Sequence, residues 1–195
     1  MFENKIILTI LGVLIALIIL LIVLNATKKG AKKLISVLKK FAGIRSFKVI
    51  NNLKLPLKDD TYVVIDHILI GFFGMLVLKR YDFGGTVYGD IRDKEWISVT
   101  TKDNIDKKIR FKNPVIANQE ATEAIRKVFQ KENIYKIDIE NYAVFTNNNV
   151  QLSLLPNIPA MTLKAFKKLI SHSKYSDNGP VDVKKVYDAL INNAE

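Results

Sequence analysis

The chain contains no cysteine, which excludes disulfide frameworks, thiolate zinc sites and cysteine nucleophiles. It has only two histidines, His67 and His172, too few for a histidine-rich metal cage. No Walker loop, dinucleotide-binding glycine fingerprint or Gly-x-Ser-x-Gly elbow is present, and Gly71–Gly74 and Gly84–Gly89 lack the required spacing. Internal repeats, low-complexity tracts and long disordered linkers are missing too. From Lys28 to Lys58 there is no acidic residue at all. What is there amounts to 195 residues with a net charge of +11, enough for one domain plus an appendage.

The appendage lies at the N-terminus. Ile6–Leu24 is a run of 19 uncharged residues, relieved in polarity only by Thr9 and Gly12. As a helix it would rise about 28 Å at ~1.5 Å per residue, close to the hydrocarbon thickness of a bilayer. A cleavable signal peptide would carry a shorter apolar run and a small-x-small site, and Leu24-Asn25-Ala26 is a poor one. The run therefore predicts an uncleaved anchor over residues 1–27. Lys28, Lys29, Lys32, Lys33, Lys39 and Lys40 follow it, against Glu3 and Lys5 before it. The positive-inside tendency then predicts a single-pass protein of the cell membrane, with residues 28–195 in the cytoplasm.

Those six lysines, with Arg45, Lys48, Lys54 and Lys58, make ten cations in an anion-free stretch. Such a stretch reads as a topological flank with a solvated helix face, as a binder of anionic lipid headgroups, or as a nucleic-acid backbone contact. Charge alone does not separate the three.

The remaining pattern predicts a mixed α/β domain on one central mixed sheet flanked by helices. Leu34, Val37, Leu38 and Phe41 recur at helical spacing, and Gly43 stops that helix. Ser46–Asn51, Thr61–Gly71 and Met75–Tyr81 read as strands, the last two as a hairpin across Gly71-Phe72-Phe73-Gly74. Thr86–Gly89, Glu95–Thr101 and Lys107–Phe111 are further short strands. Pro114 opens a helix to about Lys131, Ile137–Phe145 and Val150–Leu154 return to strand, and two amphipathic helices close the chain. Trp96, Met75 and Met161 read as packed residues and His172 as a solvated helix end.

One segment stands out. Val63-Val64-Ile65-Asp66-His67-Ile68-Leu69-Ile70 places a carboxylate and an imidazole inside an apolar strand. Burying Asp66 without a partner is costly, so a backbone donor, a cation or a metal must hold it.

In order along the chain, Gly30, Val49-Ile50-Asn51-Asn52, Ile65-Asp66-His67, Gly74, Tyr88-Gly89, Trp96, Asn113-Pro114, Val144-Phe145 and the paired C-terminal helices resemble the NERD family, the nuclease-related domains. The resemblance runs over nearly all of the chain after the apolar run. It implies a restriction-endonuclease-like PD-(D/E)xK fold and DNA as the ancestral substrate. It further implies a metal site built from a Glu after the opening glycine, the Asp of Ile-Asp-His, a Glu-x-Lys on the next strand and a Gln after Asn-Pro. In such a site two carboxylates hold a hard divalent ion that activates water.

Carried onto this sequence, those positions hold Ala31, Asp66, Lys79, Tyr81 and Ala117, with Gln119 two residues out of step. Only Asp66 of the five is kept, and His67 beside it also matches. Lys79 puts a cation where a metal-binding carboxylate belongs, so the expectation is an Asp66–Lys79 ion pair in a degenerate site with no metal and no cofactor. The protein would then act by binding nucleic acid, with Lys28, Lys29, Lys32, Lys33, Lys39, Lys40, Arg45 and Lys48 contacting nucleic acid or lipid. Two rivals stand beside it. In one, a carboxylate moved to Asp82, Asp90, Glu120 or Glu123 restores a Mg2+-dependent nuclease through Asp66, although strand alternation turns Asp82 away. In the other, the domain is a membrane-tethered module that binds a protein partner or lipid.

Overall fold

A computed structural model describes residues 30–57 and 61–195, together with Leu14 and Leu17. Apart from those two leucines, the expected span Ile6–Leu24 lies outside the described residues, as do Lys28, Lys29 and Lys58. Among the described residues no helix is long and apolar enough to cross a membrane.

Helix α1 occupies residues 30–43, its buried stripe formed by Leu34, Leu38 and Ala42 at four-residue spacing. Strands β1 (Lys48–Pro56), β2 (Tyr62–Gly71) and β3 (Gly74–Tyr81) form an antiparallel meander. A second meander follows, β4 (Gly85–Tyr88), β5 (Glu95–Lys102) and β6 (Ile105–Lys112). Helix α2 (Pro114–Lys131) leads to β7 (Ile139–Phe145), β8 (Val150–Ser153) and β9 (Ala160–Thr162). Helix α3 (Leu163–Ile170), a 3-10 turn (Ser173–Tyr175) and α4 (Val183–Asn192) close the chain.

The mixed α/β class holds, but the single sheet does not. Five strands in the order β1-β2-β3-β7-β9 form one sheet, and four in the order β6-β5-β4-β8 form another. Both are mixed, since β7 runs parallel to β3 and β9, and β8 parallel to β4. The division has a local cause. The parallel pair β3/β7 breaks at Asp82–Gly84 and Thr146–Asn149 and resumes as β4/β8. Gly85 takes φ +94°, and a Cβ there would sit 2.5 Å from the carbonyl oxygen of Val99, so only glycine makes this turn. Thr146 N–H to Tyr81 O (2.9 Å), Asn147 Nδ2 to Asp82 O (3.1 Å) and Gly85 N–H to Asn149 O (3.1 Å) tie the two breaks together.

Helices α1 and α3 pack on one face of the five-stranded sheet through Leu34, Leu38, Phe166 and Ile170 against Leu69, Leu76, Leu78 and Val144. Helices α2 and α4 cover the other face through Ile125, Phe129, Val186 and Leu190 against Ile50, Ile68, Ile70 and Val77. A third cluster, centred on Trp96 and Phe145, lies against the smaller sheet. Trp96 is fully buried, as its place at the start of β5 suggested.

Candidate functional site

The register of the β2–β3 ladder pairs His67 with Leu78, and one further step brings Asp66 opposite Lys79. Lys79 Nζ lies 3.0 Å from Asp66 Oδ1, and the Arg80 backbone N–H donates to Oδ2 at 2.9 Å. Both side chains are mostly covered, 31% exposed for Lys79 and 20% for Asp66. One cation and one amide thus occupy both carboxylate oxygens. Arg80 sends its guanidinium away from Asp66, with Nε 3.1 Å from Asp82 Oδ2 though not aligned for a hydrogen bond.

His67 does not share the cavity into which Asp66 points. It is 1% exposed, its Nδ1 donates to Asn51 Oδ1 at 2.7 Å, and its Nε2 is buried with no partner. Burial holds its pKa down at about 4, against the opposing pull of the Asp66 charge. It is a neutral imidazole at physiological pH.

Asp66, Lys79 and Tyr81 line one cavity of about 350 Å³. Tyr81 stands where the resemblance expects lysine, yet its ring belongs to an aromatic box. It stacks on Phe145 at 5.1 Å and touches Phe83 and Phe111 at 5.5 and 4.8 Å. Its hydroxyl donates to the Lys112 carbonyl at 3.3 Å. Burial, then the nearby Asp66 charge, raises its pKa, so it supplies no charge to the cavity.

Helix α2 forms the opposite wall. Its start is fixed by Asn113, which is fully buried and caps the helix by accepting from Val115 N–H at 2.9 Å. The Asn113 amide also donates to the carbonyls of Asp90, Ile91 and Asp93 (3.1, 3.0 and 2.7 Å), and Pro114 takes the first turn where no N–H is needed. This clamp carries Ala117, Asn118 and Glu120 over the cavity. Lys112 Nζ meets both Glu120 oxygens at 2.6 and 2.5 Å. Asn118 is 4% exposed, and its Nδ2 has no partner.

Residues 26–146 match the family model of the nuclease-related domain, NERD, which is more than half of the chain. The chain belongs to the NERD family. No curated protein and no solved structure matched. The match ends at Thr146, so β8, β9 and the paired C-terminal helices lie beyond it, although the resemblance had been expected to reach them.

Several residues of the NERD pattern have structural work here. A Cβ on Gly30 would strike the Asp82 carboxylate and the Thr146 hydroxyl, which themselves hydrogen-bond. Asn51 holds His67, and Trp96 donates to the Asp90 carbonyl at 2.9 Å, in the same loop that Asn113 clamps. Ala31 does not line the cavity, whereas Ala117 does. Gln119 instead lines a separate cavity with Glu123 and Arg126. Of the four carboxylates that could have moved, only Glu120 lines the Asp66 cavity, and Lys112 already neutralises it. Asp82 pairs with Arg80 and Thr146, Asp90 with the N–H of Arg92, and Glu123 with Lys127.

Among the described residues no three His, Asp or Glu side chains converge to hold a metal ion. The magnesium that a NERD nuclease would use does not fit this donor set. Each Asp66 oxygen already accepts a hydrogen bond, from the Lys79 ammonium and the Arg80 N–H, and the side chain facing it from β3 is a cation rather than a second carboxylate.

The expected basic run is not one surface. Lys32, Lys33, Lys39 and Lys40 are exposed on α1. The Arg45 guanidinium bonds the Ser176 carbonyl, while Lys48 lies 5.7 Å from the Tyr187 ring of α4 and Lys54 is 4.0 Å from Tyr62. Lys48 shares the side of β1 that carries Ile50 and faces α4, whereas Lys54 stands between Leu53 and Leu55, which are buried in the α2/α4 cluster, and points away from it; Asn52, at φ +53°, interrupts the alternation between the two lysines. The sequence reading missed Lys112, Asn118 and the cationic edge of β6, whose Lys107, Lys108 and Arg110 are exposed. Alternating charge in β6 was visible, but that the Lys112 end of the strand reaches the cavity depends on long-range pairing.

Proposed function

We propose that this protein is a membrane-anchored NERD domain of restriction-endonuclease-like ancestry that has lost hydrolysis and binds nucleic acid. The observation that carries the reading is the Asp66 carboxylate closed by Lys79 Nζ at 3.0 Å and the Arg80 N–H at 2.9 Å. A carboxylate so held keeps the fold of a nuclease strand while removing the open anionic position a divalent ion requires. Tyr81, a neutral phenol, takes the place of the transition-state cation. Nucleic acid is favoured because Lys107, Lys108 and Arg110 are exposed cations on β6, the strand whose Lys112 lines this cavity, and because the chain carries a net charge of +11. The anchor rests on the uncharged run Ile6–Leu24, and a cytoplasmic domain on the lysines that follow it.

The test is made on the full chain in detergent micelles. Duplex and single-stranded DNA should bind with affinity that falls steeply with salt, and Lys108→Gln or Arg110→Gln should each flatten the log–log salt slope by about 0.9 or less. No Mg2+-dependent cleavage should accompany binding. The second reading, an active nuclease using Glu120 opposite Asp66, has the shared cavity in its favour. It prevails if Mg2+ produces cleavage that both Asp66→Asn and Glu120→Gln abolish.

A further inference from the structure

The two helical layers differ sharply in charge. Helices α1 and α3, on one face of the five-stranded sheet, carry Lys32, Lys33, Lys39, Lys40, Lys164, Lys167 and Lys168 and no acidic residue. Helices α2 and α4, on the other face, carry five cations and three anions, Glu120, Glu123 and Asp188. The layers thus differ as +7 against +2, and the Asp66 cavity lies on the weakly charged side. A basic layer turned away from the cavity has no access to it.

Between α1 and α3 runs a groove of about 520 Å³ with an apolar floor, Val37, Phe41 and Ile170, and a lysine on either bank, Lys40 and Lys167. Ile44, 72% exposed, stands at its end. Apolar surface flanked by ammonium groups, without carboxylates, is the composition of a protein face that settles on anionic lipid, with the aliphatic side chains entering the headgroup layer. The position of α1 in the chain fits this. Only Asn25–Lys29 separate the apolar run from Gly30, so the start of α1 lies within about 22 Å of the end of the span even if the connection is fully extended. The α1/α3 layer is therefore held where an anionic surface potential, which decays over ~8–10 Å, is felt once the helices lie against it.

We propose that the α1/α3 face is a membrane-docking surface that seats on the anionic phospholipid bilayer and leaves the Asp66 cavity and the β6 edge facing the aqueous phase. The proposal rests on the anchor reading and adds an orientation to it. Lys164, Lys167 and Lys168, which lie outside the stretch matched to the NERD family, become part of the lipid site.

The absence of cysteine makes the test clean. Full chain carrying Ser36→Cys in the groove, or Gln130→Cys on α2 as control, is labelled with an environment-sensitive dye. It is reconstituted into vesicles of phosphatidylcholine alone or with 30% phosphatidylserine. Retention of the chain in vesicles after alkaline carbonate reports the anchor independently. The position-36 label should shift to the blue and resist aqueous iodide in the anionic vesicles only, and 0.5 M NaCl should reverse both effects. The position-130 label should be unaffected throughout. Replacing Lys39, Lys40, Lys167 and Lys168 with Gln should shift the docked-to-undocked ratio by roughly fivefold per lysine and expose the label, whereas Lys→Arg replacements should not. Trp96 emission checks that each variant is folded. A chain retained in the vesicles whose position-36 label is equally open in both lipids overturns docking while leaving the anchor intact, and loss of retention overturns the anchor. Protection of position 36 by duplex DNA in neutral vesicles overturns the proposal in favour of a nucleic-acid face.

Discussion

Removing the Lys79 ammonium should leave Asp66 with a single donor in a covered position. Two limits bound the effect. Breaking a deeply buried pair costs about 3–5 kcal/mol, and an exposed pair is worth about 0–1 kcal/mol. With 20% of the Asp66 side chain open to water and the Arg80 N–H still bonded to Oδ2, Lys79→Ala belongs between them, at about 1–3 kcal/mol. The single tryptophan gives the signal: Trp96 is fully buried, so urea unfolding of the full chain in micelles can be followed by its emission. Asp66→Asn alone should cost a similar amount, because Lys79 is then the unpaired charge. The double variant Lys79→Met, Asp66→Asn should cost less than the sum of the singles, with a coupling of roughly 1 kcal/mol or more. Additive single effects, each below about 0.5 kcal/mol, would refute the reasoning. They would mean that water already screens the pair and that the ammonium is not what closes the carboxylate.

Other consequences can be measured on the same material. His67 is held neutral with a pKa of about 4 when folded against 6.5 when free. The unfolded chain therefore binds the extra proton first, and stability should fall by roughly 3 kcal/mol as pH drops from 6.5 to 4, at 1.36 kcal/mol per unit. Comparison of urea midpoints with His67→Gln across that window isolates this contribution, and equal pH slopes would contradict it. Asn113→Ala removes a helix cap and leaves three loop carbonyls without their donor, so about 2–4 kcal/mol should be lost by urea unfolding. Lys79→Glu combined with Tyr81→Lys restores the family's charge pattern and should create a Mg2+-binding site detectable by calorimetry, where the unmodified chain should give no binding signal. Turnover should stay absent, since Ala31 and Ala117 are unchanged.

Much of the fold was legible because its signals are local. The Asn-Pro start and the 3.6-residue apolar period set α2 at Pro114–Lys131, and the Gly71–Gly74 turn set the β2/β3 hairpin. Alternation along β3 put Lys79 and Tyr81 on one face, and the resemblance to the NERD pattern put that face beside Asp66, where the β2–β3 register brings Lys79. The division into two sheets was not legible, because it depends on Gly84-Gly85 and Asn147–Asn149, distant in sequence, breaking the ladder at one place. Nor was β9, three residues long and paired only with β7. Strand β1 runs on to Pro56, because as an edge strand it tolerates a proline at its end. At the site, the Lys112–Glu120 pair joins the end of β6 to α2 and needs the three-dimensional path of both.

The doubled break between the sheets also dictates an order of assembly. Each meander, β1-β2-β3 and β4-β5-β6, closes on neighbouring residues and can pair as soon as it is synthesised. The parallel partners arrive together on a single stretch, β7 followed by β8, after the 26 residues between Lys112 and Ile139. Until that stretch emerges, β3 and β4 present bare hydrogen-bonding edges, β3 with an apolar run from Met75 to Leu78, the kind of edge that recruits other chains. Residues 139–153 are thus a bolt driven through two half-built sheets at once. Substitutions there should slow folding more than they speed unfolding, and a chain truncated before Ile139 should aggregate rather than persist as two separate meanders.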